Sequence, residues 1–404
     1  MSASSKSSMK VAIACGGTGG HFFPGVAVGK ALIHRGNDVL LIASEKSVDR
    51  EGAKGVEDAR IEFLPAVAMV RGRLWSFFLG LSKAIFRCLR WFWHWRPDVV
   101  LVMGGFTSVA PAMVGRLFGA RVFLHEANSI PGRANRILAR LCHGIFVGFP
   151  ATQSHFPGRH VQVTGTPVRA QFQAPLPNDA CEQFGLIEGQ ATLLVMGGSQ
   201  GAQAINELML ELGPILSERY PTLQFVHLTG RNDNAQLTAM YEKTGARYVV
   251  AGFCEDTTRV VRLASAVISR AGASSLAEFA VVGLPSLLVP YPSAVDDHQE
   301  HNALSFSEDG AAIRIKQSEL DPPTVAEVLG RLLFDSDLRA SMTDALGKWD
   351  SRMAAEQIAD SLLGDALNRS GDIKSLEGSY EGLKSSGNES VDRSNFETRP
   401  CASL

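Results

Sequence analysis

Residues 197–202 read Gly-Gly-Ser-Gln-Gly-Ala and lie between an apolar run at 192–196 and a helical pattern at 204–216. A strand, a glycine-rich turn and a helix in this order point backbone N–H groups and a helix dipole at an anion. A second copy opens the chain, because residues 16–21 read Gly-Gly-Thr-Gly-Gly-His after a strand-like run at 11–14. Two such loops, far apart in sequence, predict two similar α/β domains that hold a phosphorylated donor in the cleft between them.

The composition is that of a globular protein with room for two domains. The chain has 404 residues, of which 45% are hydrophobic and 20% are charged, and its formal net charge is -2. This charge balance gives no reason to expect nucleic acid as a partner. The six cysteines form no CxxC pair, so we expect reduced thiols in a cytosolic protein. We expect no membrane-spanning helix, because no uncharged apolar run reaches about 18 residues.

Short apolar runs alternate with helical patterns along most of the chain, which predicts parallel sheets with helices on both faces. The predicted strands cover residues 11–14, 38–43, 99–103, 121–124, 145–147, 161–164, 192–196, 224–228, 248–250, 266–269, 286–289 and 312–315. Helical patterns follow at 322–334 and 337–363. The polar, proline-rich segment 167–178 is interpreted as an interdomain linker, and residues 368–404, which lack apolar periodicity, as a disordered tail.

The glycine loops fit neither of two common phosphate-binding motifs. The first loop is followed by His21 and Phe22 and lacks the small final residue of the dinucleotide fingerprint. The second has Ser199 and Gln200 between its glycines, and neither loop continues into the Lys-Ser/Thr pair of a P-loop. An NAD-binding oxidoreductase is therefore disfavoured. The loops are interpreted as close-ligand or phosphate-binding turns, with ordinary strand-to-helix turns as the alternative.

Two side chains are candidates for a general base. His21 ends the first loop at a predicted helix start, where the positive helix end disfavours the imidazolium and leaves a neutral ring to accept a proton. The alternative is a histidine that only orders the turn. Glu126, in the cluster His-Glu-Ala-Asn at 125–128, is the second candidate. The cluster at 104–108 follows another strand and belongs at the same edge.

Polar clusters also follow two strands of the second half. Residues 269–278 end in Glu278, which either binds the hydroxyls of a ribose or closes a capping box with Ser274 or Ser275. The amides and acids of residues 290–302 suit hydrogen bonds to sugar hydroxyls. We expect no protein-held metal, because adjacent carboxylates such as Asp296 and Asp297 alternate in direction. The Asp-Ser-Asp triplet at 335–337 is interpreted as a helix N-cap.

The segment 71–96 combines aromatic bulk with basic residues. It contains four of the five tryptophans, and Lys83, Arg87, Arg90 and His94 form one stripe at helical spacing. This pattern is typical of an interfacial helix on an anionic membrane. The alternative is a helix packed on the sheet with one solvated face.

The sequence resembles the MurG family in several motifs that occur in the family's order. They are GGTGGHFFPGVAVG, GGFTSVAP, HEAN, GTPVR, GGSQGAQAIN, SRAGASSLAE and DDHQEHNA, and the resemblance covers roughly residues 10–365. The resemblance implies a GT-B fold of two Rossmann-like domains. It assigns residues 1–9 to a flexible N-terminus, 10–168 with a returning helix at about 346–366 to the acceptor domain, and 169–345 to the domain that binds the UDP-sugar.

The activity implied by the resemblance is a step of peptidoglycan synthesis, which supports cell shape and division. N-acetylglucosamine passes from UDP-N-acetylglucosamine, with inversion, to the 4-hydroxyl of undecaprenyl-diphospho-muramoylpentapeptide, without metal or cofactor. The enzyme would act as a peripheral protein on the cytoplasmic face of the bacterial inner membrane. Alternatives are a diacylglycerol-type acceptor, a UDP-sugar epimerase and a catalytically silent nucleotide-sugar-binding protein. The joint presence of His21, Glu126 and Glu278 argues against the silent protein.

Site residues carry over from the family position by position. The resemblance implies donor contacts at Thr18, Gly19, Gly20, His21, Asn128, Arg169, Ser199, Asn206, Cys254, Ser275, Glu278, His298 and Gln299. It favours the ribose role for Glu278, and it supports membrane contact at Trp75, Phe78, Lys83, Arg87, Arg90 and Trp91. Two positions depart from the family pattern, since Phe106 replaces the usual tyrosine and Ala127 the usual glutamine. Both departures concern the acceptor side.

Overall fold

The structure is a computed structural model that describes residues 8–54, 56, 58–65, 74–197, 202–230, 235–252, 254, 256–292 and 294–370. Residues 1–360 form one compact unit that contains both sheets, and residues 361–404 form another. The strands in the described part of the chain are β1 Lys10–Ala14, β2 Asp38–Ser44, β3 Arg60–Leu64, β4 Val99–Val102, β5 Arg121–Glu126, β6 Gly144–Val147, β7 Val161–Val163, β8 Thr192–Met196, β9 Gln224–Leu228, β10 Arg247–Ala251, β11 Ala266–Ser269, β12 Ser286–Leu288 and β13 Ile313–Arg314.

Helices connect these strands and follow the last one. In the same residue ranges they are α1 Gly19–His34, α2 Ser47–Ala53, α3 Leu74–Trp95, α4 Val109–Leu117, α5 Arg133–Leu138, α6 Ala180–Gln183, α7 Gln203–Arg219, α8 Ala235–Thr244, α9 Thr257–Leu263, α10 Ala273–Val282, α11 His298–Glu308, α12 Pro322–Phe334, α13 Ser336–Gly347 and α14 Ala354–Ser370. Short 3-10 turns lie at Phe106–Ser108, Pro150–His155, Ala170–Phe172, Val295–Asp297 and Gln317–Glu319.

The strands form two parallel sheets of the same winding. The first has the order β3-β2-β1-β4-β5-β6-β7 and the second β10-β9-β8-β11-β12-β13. Every paired strand runs parallel to its neighbour, as in Val11 opposite Val39 on one side and Val99 on the other. Central strands such as β4, and β1 after Lys10, are apolar and buried because helices cover both faces. The prediction of two Rossmann-like domains is confirmed.

The winding places particular loops at the carboxyl edge of each sheet. Chain order reverses between β1 and β4 in the first sheet and between β8 and β11 in the second. A ligand of an open parallel sheet binds at such a switch point, beyond the strand ends. The two predicted glycine loops follow β1 and β8, and the polar clusters at 104–108 and 270–275 follow β4 and β11. Of the second glycine loop, residues 198–201 lie outside the described residues.

Every predicted strand is present, with bounds that differ by at most a few residues. The prediction omitted β3, which pairs only with β2 at the edge of the first sheet. Its Arg60 and Glu62 form an ion pair, with 2.9 Å between Nη2 and Oε1. Charged residues have low strand propensity and are tolerated at an edge, so the apolar pattern was too weak to identify this strand.

The helix predicted at 322–334 is confirmed as α12, whereas the one predicted at 337–363 is wrong as a single element. It breaks into α13 and α14, and the break contains Ser351, whose Cβ would be 2.6 Å from a Cβ added at Gly165. Beyond the break, Glu356 and Asp360 pair with Arg35 at the end of α1. The chain therefore returns from the second sheet to the first. The domain boundaries themselves remain a prediction.

Aromatic rings fill the junction between the two sheets. Phe149 follows β6 of the first sheet, and its ring lies 6.0 Å from that of Phe306 in α11 and 5.2 Å from Trp349. The rings of Phe306 and Trp349 stack at 4.4 Å. This apolar packing holds α11 against the first half of the molecule.

The close approach of α1 to β1 leads to a prediction for Gly25. A Cβ added there would lie 2.4 Å from the Cβ of Cys15 and 3.2 Å from the Cγ of Met103, both buried. Gly25→Ala should lower the free energy of unfolding by about 1–3 kcal/mol through overpacking, measured by urea unfolding. Gly347→Ala is the control, because an added Cβ there meets nothing within 4 Å. Equal stability of the two variants would contradict the predicted packing.

Candidate active site

The first glycine loop is held in place by three side chains. The buried carboxylate of Asp49 accepts a hydrogen bond from the Gly17 N–H at 2.8 Å, and Lys46 Nζ donates to the Gly17 carbonyl at 2.8 Å. Thr107 donates from its hydroxyl to the Gly16 carbonyl. Gly17 has φ +127°, a conformation that side-chain-bearing residues rarely adopt. The sequence analysis did not identify Asp49 and included Thr107 only as part of the cluster at 104–108, because both lie far from the loop in sequence.

His21 stands in the first turn of α1 and is half-buried. Its Nδ1 lies 3.2 Å from the Thr18 hydroxyl, and its ring faces Gly105, where an added Cβ would be 3.5 Å from Cε1. Burial lowers the pKa of His21, an effect that the carboxylates of Glu126 and Asp49 oppose. The ring is therefore neutral near pH 7. In the tautomer that carries its proton on Nδ1, the ring can donate to Thr18, and Nε2 then keeps its lone pair for a proton.

Glu126 ends β5 and is buried with both carboxylate oxygens occupied. Oε1 accepts from the backbone N–H of Asn128 at 2.9 Å and from its Nδ2 at 3.1 Å. Oε2 accepts from the Gly132 N–H at 3.0 Å and from Asn135 Nδ2 at 2.7 Å. These four donors fix the loop between β5 and α5. They also leave few acceptor sites for a substrate proton, so Glu126 suits positioning better than proton transfer.

Asn128 reaches across to the second half of the molecule. Its Oδ1 accepts a hydrogen bond at 3.2 Å from Nδ2 of Asn302, which is fully buried in α11. The Oδ1 of Asn302 accepts from the Ser129 N–H at 2.9 Å. Sequence reasoning quoted Asn302 within a motif but gave it no role. Its spacing of four residues from Phe306 puts both on one helix face, the only signal that could have found it.

Arg169 and Glu278 form an ion pair that is mostly shielded from solvent. Arg169 Nη2 lies 3.1 Å from Glu278 Oε1 and donates to the Thr257 hydroxyl at 2.9 Å. The guanidinium also lies 4.6 Å from the ring centre of Phe23 in α1. Burial raises the pKa of Glu278, and Arg169 opposes this effect through its charge and hydrogen bond. The capping alternative for Glu278 is not realised, because the N-cap of α10 is Gly272.

The N-terminus of α10 meets the first glycine loop. The hydroxyl of Ser274 donates to the Gly20 carbonyl at 3.0 Å, which links a loop of the second sheet to one of the first. Gly272 has no side chain to cap α10, and the hydroxyl of Thr18 contacts His21 rather than the α1 backbone. Both helix ends thus present backbone N–H groups and positive dipole ends near Gly20. Ser275 follows in the first turn of α10.

Asn206 lies deeper than the other predicted donor residues. It is buried in α7, its Nδ2 donates to the Thr229 carbonyl at 3.1 Å, and its Oδ1 lies 3.1 Å from His227 Nε2. The other ring nitrogen of His227 lies 3.2 Å from the Tyr241 hydroxyl. Burial lowers the pKa of His227 to about 3 and raises that of Tyr241. Both polar atoms of the Asn206 side-chain amide are therefore hydrogen-bonded within the core.

Three further predicted donor residues lie in the second half of the molecule. Gln299 accepts a hydrogen bond from the Tyr291 N–H at 3.0 Å, and His298 is the first residue of α11. Cys254 is half-buried after β10. Ser199 lies outside the described residues.

The acidic clusters have structural partners. Asp296 pairs with Arg133 of α5, with 3.0 Å between Oδ1 and Nη2, across the two halves. Asp335 caps α13 by accepting from the N–H groups of Asp337 and Leu338, which confirms the N-cap interpretation. Across the described ranges, no group of three or more His, Cys, Asp or Glu side chains is arranged to hold a metal. Whether the reaction needs a metal stays a prediction.

Helix α3 exposes an apolar face. Trp75, Phe78, Leu79, Phe86 and Trp93 are each at least half exposed, and we call them the α3 apolar face. They share one side of the helix at 100° per residue, with Lys83 and Arg90 exposed along its edge. The opposite side is buried against the first sheet. Among the described helices, none combines the length and apolarity that crossing a bilayer requires.

Two predicted membrane residues point elsewhere. Trp91 is half-buried and packs against the core of the first half, so it is not part of the α3 apolar face. Arg87 pairs with Glu45 at 2.7 Å and donates to the Phe63 carbonyl, which fixes its guanidinium to the protein. The helical repeat explains both: Trp91 lies 160° from Trp75 around the helix, and Arg87 lies 120° from it. Membrane contact at the predicted residues stays a prediction.

Two parallel sheets of equal winding, whose loops meet around one cleft, define a nucleotide-sugar enzyme of the GT-B class. Family models agree: the glycosyltransferase family 28 N-terminal domain matches residues 11–147 and the C-terminal domain matches residues 192–361. The UDP-N-acetylglucosamine--N-acetylmuramyl-(pentapeptide) pyrophosphoryl-undecaprenol N-acetylglucosamine transferase of Anaeromyxobacter sp. (strain Fw109-5) is 34% identical over 359 residues, 87% of this chain and 92% of the relative. Its namesake in Geobacter sulfurreducens is 35% identical over 371 residues, 88% of this chain and 98% of the relative.

Solved structures with the same fold include one of the same family. Acinetobacter baumannii MurG is similar with a TM-score of 0.66 and 26% identity, covering 88% of this chain and 99% of that one. A UDP-N-acetylglucosamine 2-epimerase reaches a TM-score of 0.67 at 14% identity, covering 89% of this chain and 96% of that one, and shares the fold alone. The chain belongs to the MurG family.

The buried histidines lead to a prediction about pH. Burial lowers the pKa of His125 to about 4 and of His227 to about 3, so both stay neutral in the native protein while the unfolded chain takes up protons below about pH 6.5. As the pH is lowered from about 6.5 to 4, the free energy of unfolding should fall by about 1.4 kcal/mol per histidine for each pH unit. Urea unfolding of wild type and His227→Gln from pH ~7 to ~5 should give a shallower slope for the variant. Parallel slopes would refute a buried neutral His227.

Proposed function

We propose that this chain transfers N-acetylglucosamine from UDP-N-acetylglucosamine to the 4-hydroxyl of an undecaprenyl-diphospho-N-acetylmuramoylpentapeptide, with inversion. The observation that carries the proposal is the meeting of loops from both sheets beside His21. Ser274 of the second sheet is bonded to Gly20, and Gly105 of the first sheet faces the His21 ring. A donor held by one sheet and an acceptor held by the other would meet at this point. Transferases that match most of the chain carry this activity in their names.

His21 is the proposed general base. Inversion requires a base on the face of the sugar opposite the departing UDP, and a neutral imidazole with a free Nε2 can take the proton of the acceptor hydroxyl. The Thr18 hydroxyl, 3.2 Å from Nδ1, can accept from Nδ1–H in this tautomer. Glu126 acts as a positioning residue, because its four hydrogen bonds are made within its own loop. Asn128 in that loop contacts the donor sugar.

The second half binds the donor. Glu278 binds the ribose hydroxyls, with Ser275 and the backbone at Cys254 close by, and Gln299 and His298 contact the sugar. The departing diphosphate gains negative charge, which the N-terminus of α10, Arg169 and the loop at Ser199 stabilise. Arg169 is already fixed by Thr257 and Phe23, so its charge is in place before the reaction. Asn206 supports the second half from its core, through its hydrogen bond to the Thr229 carbonyl.

The α3 apolar face is the proposed contact with the cytoplasmic face of the inner membrane. Exposed aromatic rings enter the boundary between headgroups and acyl chains, while Lys83 and Arg90 attract anionic lipids. Such a peripheral location gives the enzyme access to a lipid-linked acceptor. The edge-to-face contact of Phe77 and Phe106, at 5.6 Å, places this helix directly beside the acceptor-side loop.

A transfer assay tests the reaction and the base together. UDP release from UDP-N-acetylglucosamine is measured in EDTA with a short-chain lipid-linked muramoylpentapeptide. Wild type should turn over only with acceptor present, and His21→Ala should lose about 100- to 10,000-fold in kcat while UDP-N-acetylglucosamine still binds. His155→Ala, an exposed histidine, is the matched control and should retain activity.

Three outcomes would contradict parts of the proposal. Tight donor binding without acceptor-dependent turnover would point to another acceptor or to a catalytically silent protein. Activity that EDTA abolishes would show that a metal is required. Full activity of His21→Ala would remove His21 from the chemistry and return Glu126 as the candidate base.

Membrane binding is tested on vesicles that contain anionic phospholipid. Replacing Phe86 and Trp93 by Ser should weaken vesicle binding about tenfold or more, because two exposed aromatic rings no longer leave water on docking. Turnover of a water-soluble short-chain acceptor should be retained. Ile187→Ser, an exposed apolar residue of the second half, is the control. Unchanged vesicle binding of the double variant would refute the assignment of this face.

A further inference from the structure

The side chain of Asn302 is fully buried at the junction of the two halves. It lies one helical turn before Phe306, whose ring packs between Phe149 and Trp349. An amide in such an apolar junction costs free energy unless its polar atoms are hydrogen-bonded. Both polar atoms of the Asn302 amide therefore need hydrogen-bond partners.

One amide ties a loop of the first sheet to a loop of the second. Asn302 Oδ1 accepts from the Ser129 N–H at 2.9 Å, and Nδ2 donates to Asn128 Oδ1 at 3.2 Å and to the Ala271 carbonyl at 3.1 Å. Rotating the amide by 180° would place Nδ2 against an N–H group and Oδ1 against two oxygens. Its orientation is thus fixed by its partners.

The chain of bonds continues to the loop beside His21. Asn128 Nδ2 donates to Glu126 Oε1, and Asn135 Nδ2 donates to Glu126 Oε2 at 2.7 Å. Asn135 Oδ1 in turn accepts from the Gly105 N–H at 3.2 Å. We call this series the amide network, and its members are Ala271, Asn302, Asn128, Glu126, Asn135 and Gly105.

We propose that Asn302 is a positioning residue for the transfer reaction. Through the amide network it sets the placement of the donor-side loop at Ala271 relative to the Gly105 loop that faces the base. The inference rests on the proposed function and adds to it a residue that touches neither substrate. Because every bond in the network has one permitted direction, a change at Asn302 alters the orientation of Asn128 and is passed on through Glu126.

The first test compares kcat, per folded enzyme, for Asn302→Asp, Asn302→Ala and Ser305→Ala. The aspartate keeps the shape and the acceptor for Ser129 but sets an oxygen against Asn128 Oδ1 and the Ala271 carbonyl. Both Asn302 variants should lose about 10- to 100-fold in kcat, with a smaller change in the KM for UDP-N-acetylglucosamine. Ser305, on the same helix and 3.5 Å from the Ser129 hydroxyl, is the control and should stay within about twofold of wild type.

The second test asks whether the network acts as a unit. Asn302 and Asn135 are both bonded into the network but not to each other. If the network transmits the effect, Asn302→Ala with Asn135→Ala should be no slower than the slower single variant. Multiplied losses would overturn the proposal, as would kcat within about twofold of wild type for both Asn302 variants. A merely structural role would lower the unfolding temperature and leave kcat of the folded enzyme unchanged.

Failure of the proposed function is distinguishable from failure of this inference. In that case wild type itself would release no acceptor-dependent UDP. The two single variants and the double variant of Asn302 and Asn135 are then compared by their Kd for UDP, measured by calorimetry. Non-additive losses support the network, and additive losses overturn it.

Discussion

The hydrogen bonds to the buried carboxylate of Glu126 are the interaction on which the first-sheet side of the cleft depends. A carboxylate leaves water only when other donors replace the lost solvation, and here four protein N–H groups do so. Those donors come from both ends of the loop between β5 and α5, so the loop has one arrangement. Asn128 and Asn135 each use a remaining amide oxygen to fix a further loop. The charge at Glu126 thereby organises residues well beyond its own contacts.

The two sheets share a winding, and that shared winding makes a common site. Each sheet delivers its glycine loop and its polar cluster to its own switch point, and the contact of Ser274 with Gly20 joins the two points. Two helix N-termini and the charge of Arg169 then lie near the place where a diphosphate would depart. Preorganised dipoles of this kind need no rearrangement when charge develops. The fold therefore supplies the oriented helix dipoles, and the loops supply the side chains of the site.

The segments that connect the halves are packed rather than loose. Val168 and Phe172 of the linker are buried, and the break between α13 and α14 places Trp349 against Phe306. A close-packed apolar junction resists small displacements, because each lost contact costs dispersion energy. Arg133 and Asp296 add an ion pair across the same boundary. The geometry around His21 therefore depends on side chains from both halves.

The sequence alone determined the two Rossmann-like sheets, the glycine loop after β1 and the N-cap at Asp335, because these follow from local periodicity and from glycine and capping chemistry. It also placed the segments of His21, Glu126 and Glu278 after strands, whereas Asn128 and Arg169 were assigned by the resemblance to the MurG family. Only the tertiary structure decided their partners. Glu278 pairs with Arg169, Glu126 is saturated by its own loop, and Trp91 turns inward. Asp49 was missed, and Thr107 and Asn302 were quoted without a role of their own, because their bonds join residues distant in the chain and no local pattern records such a contact.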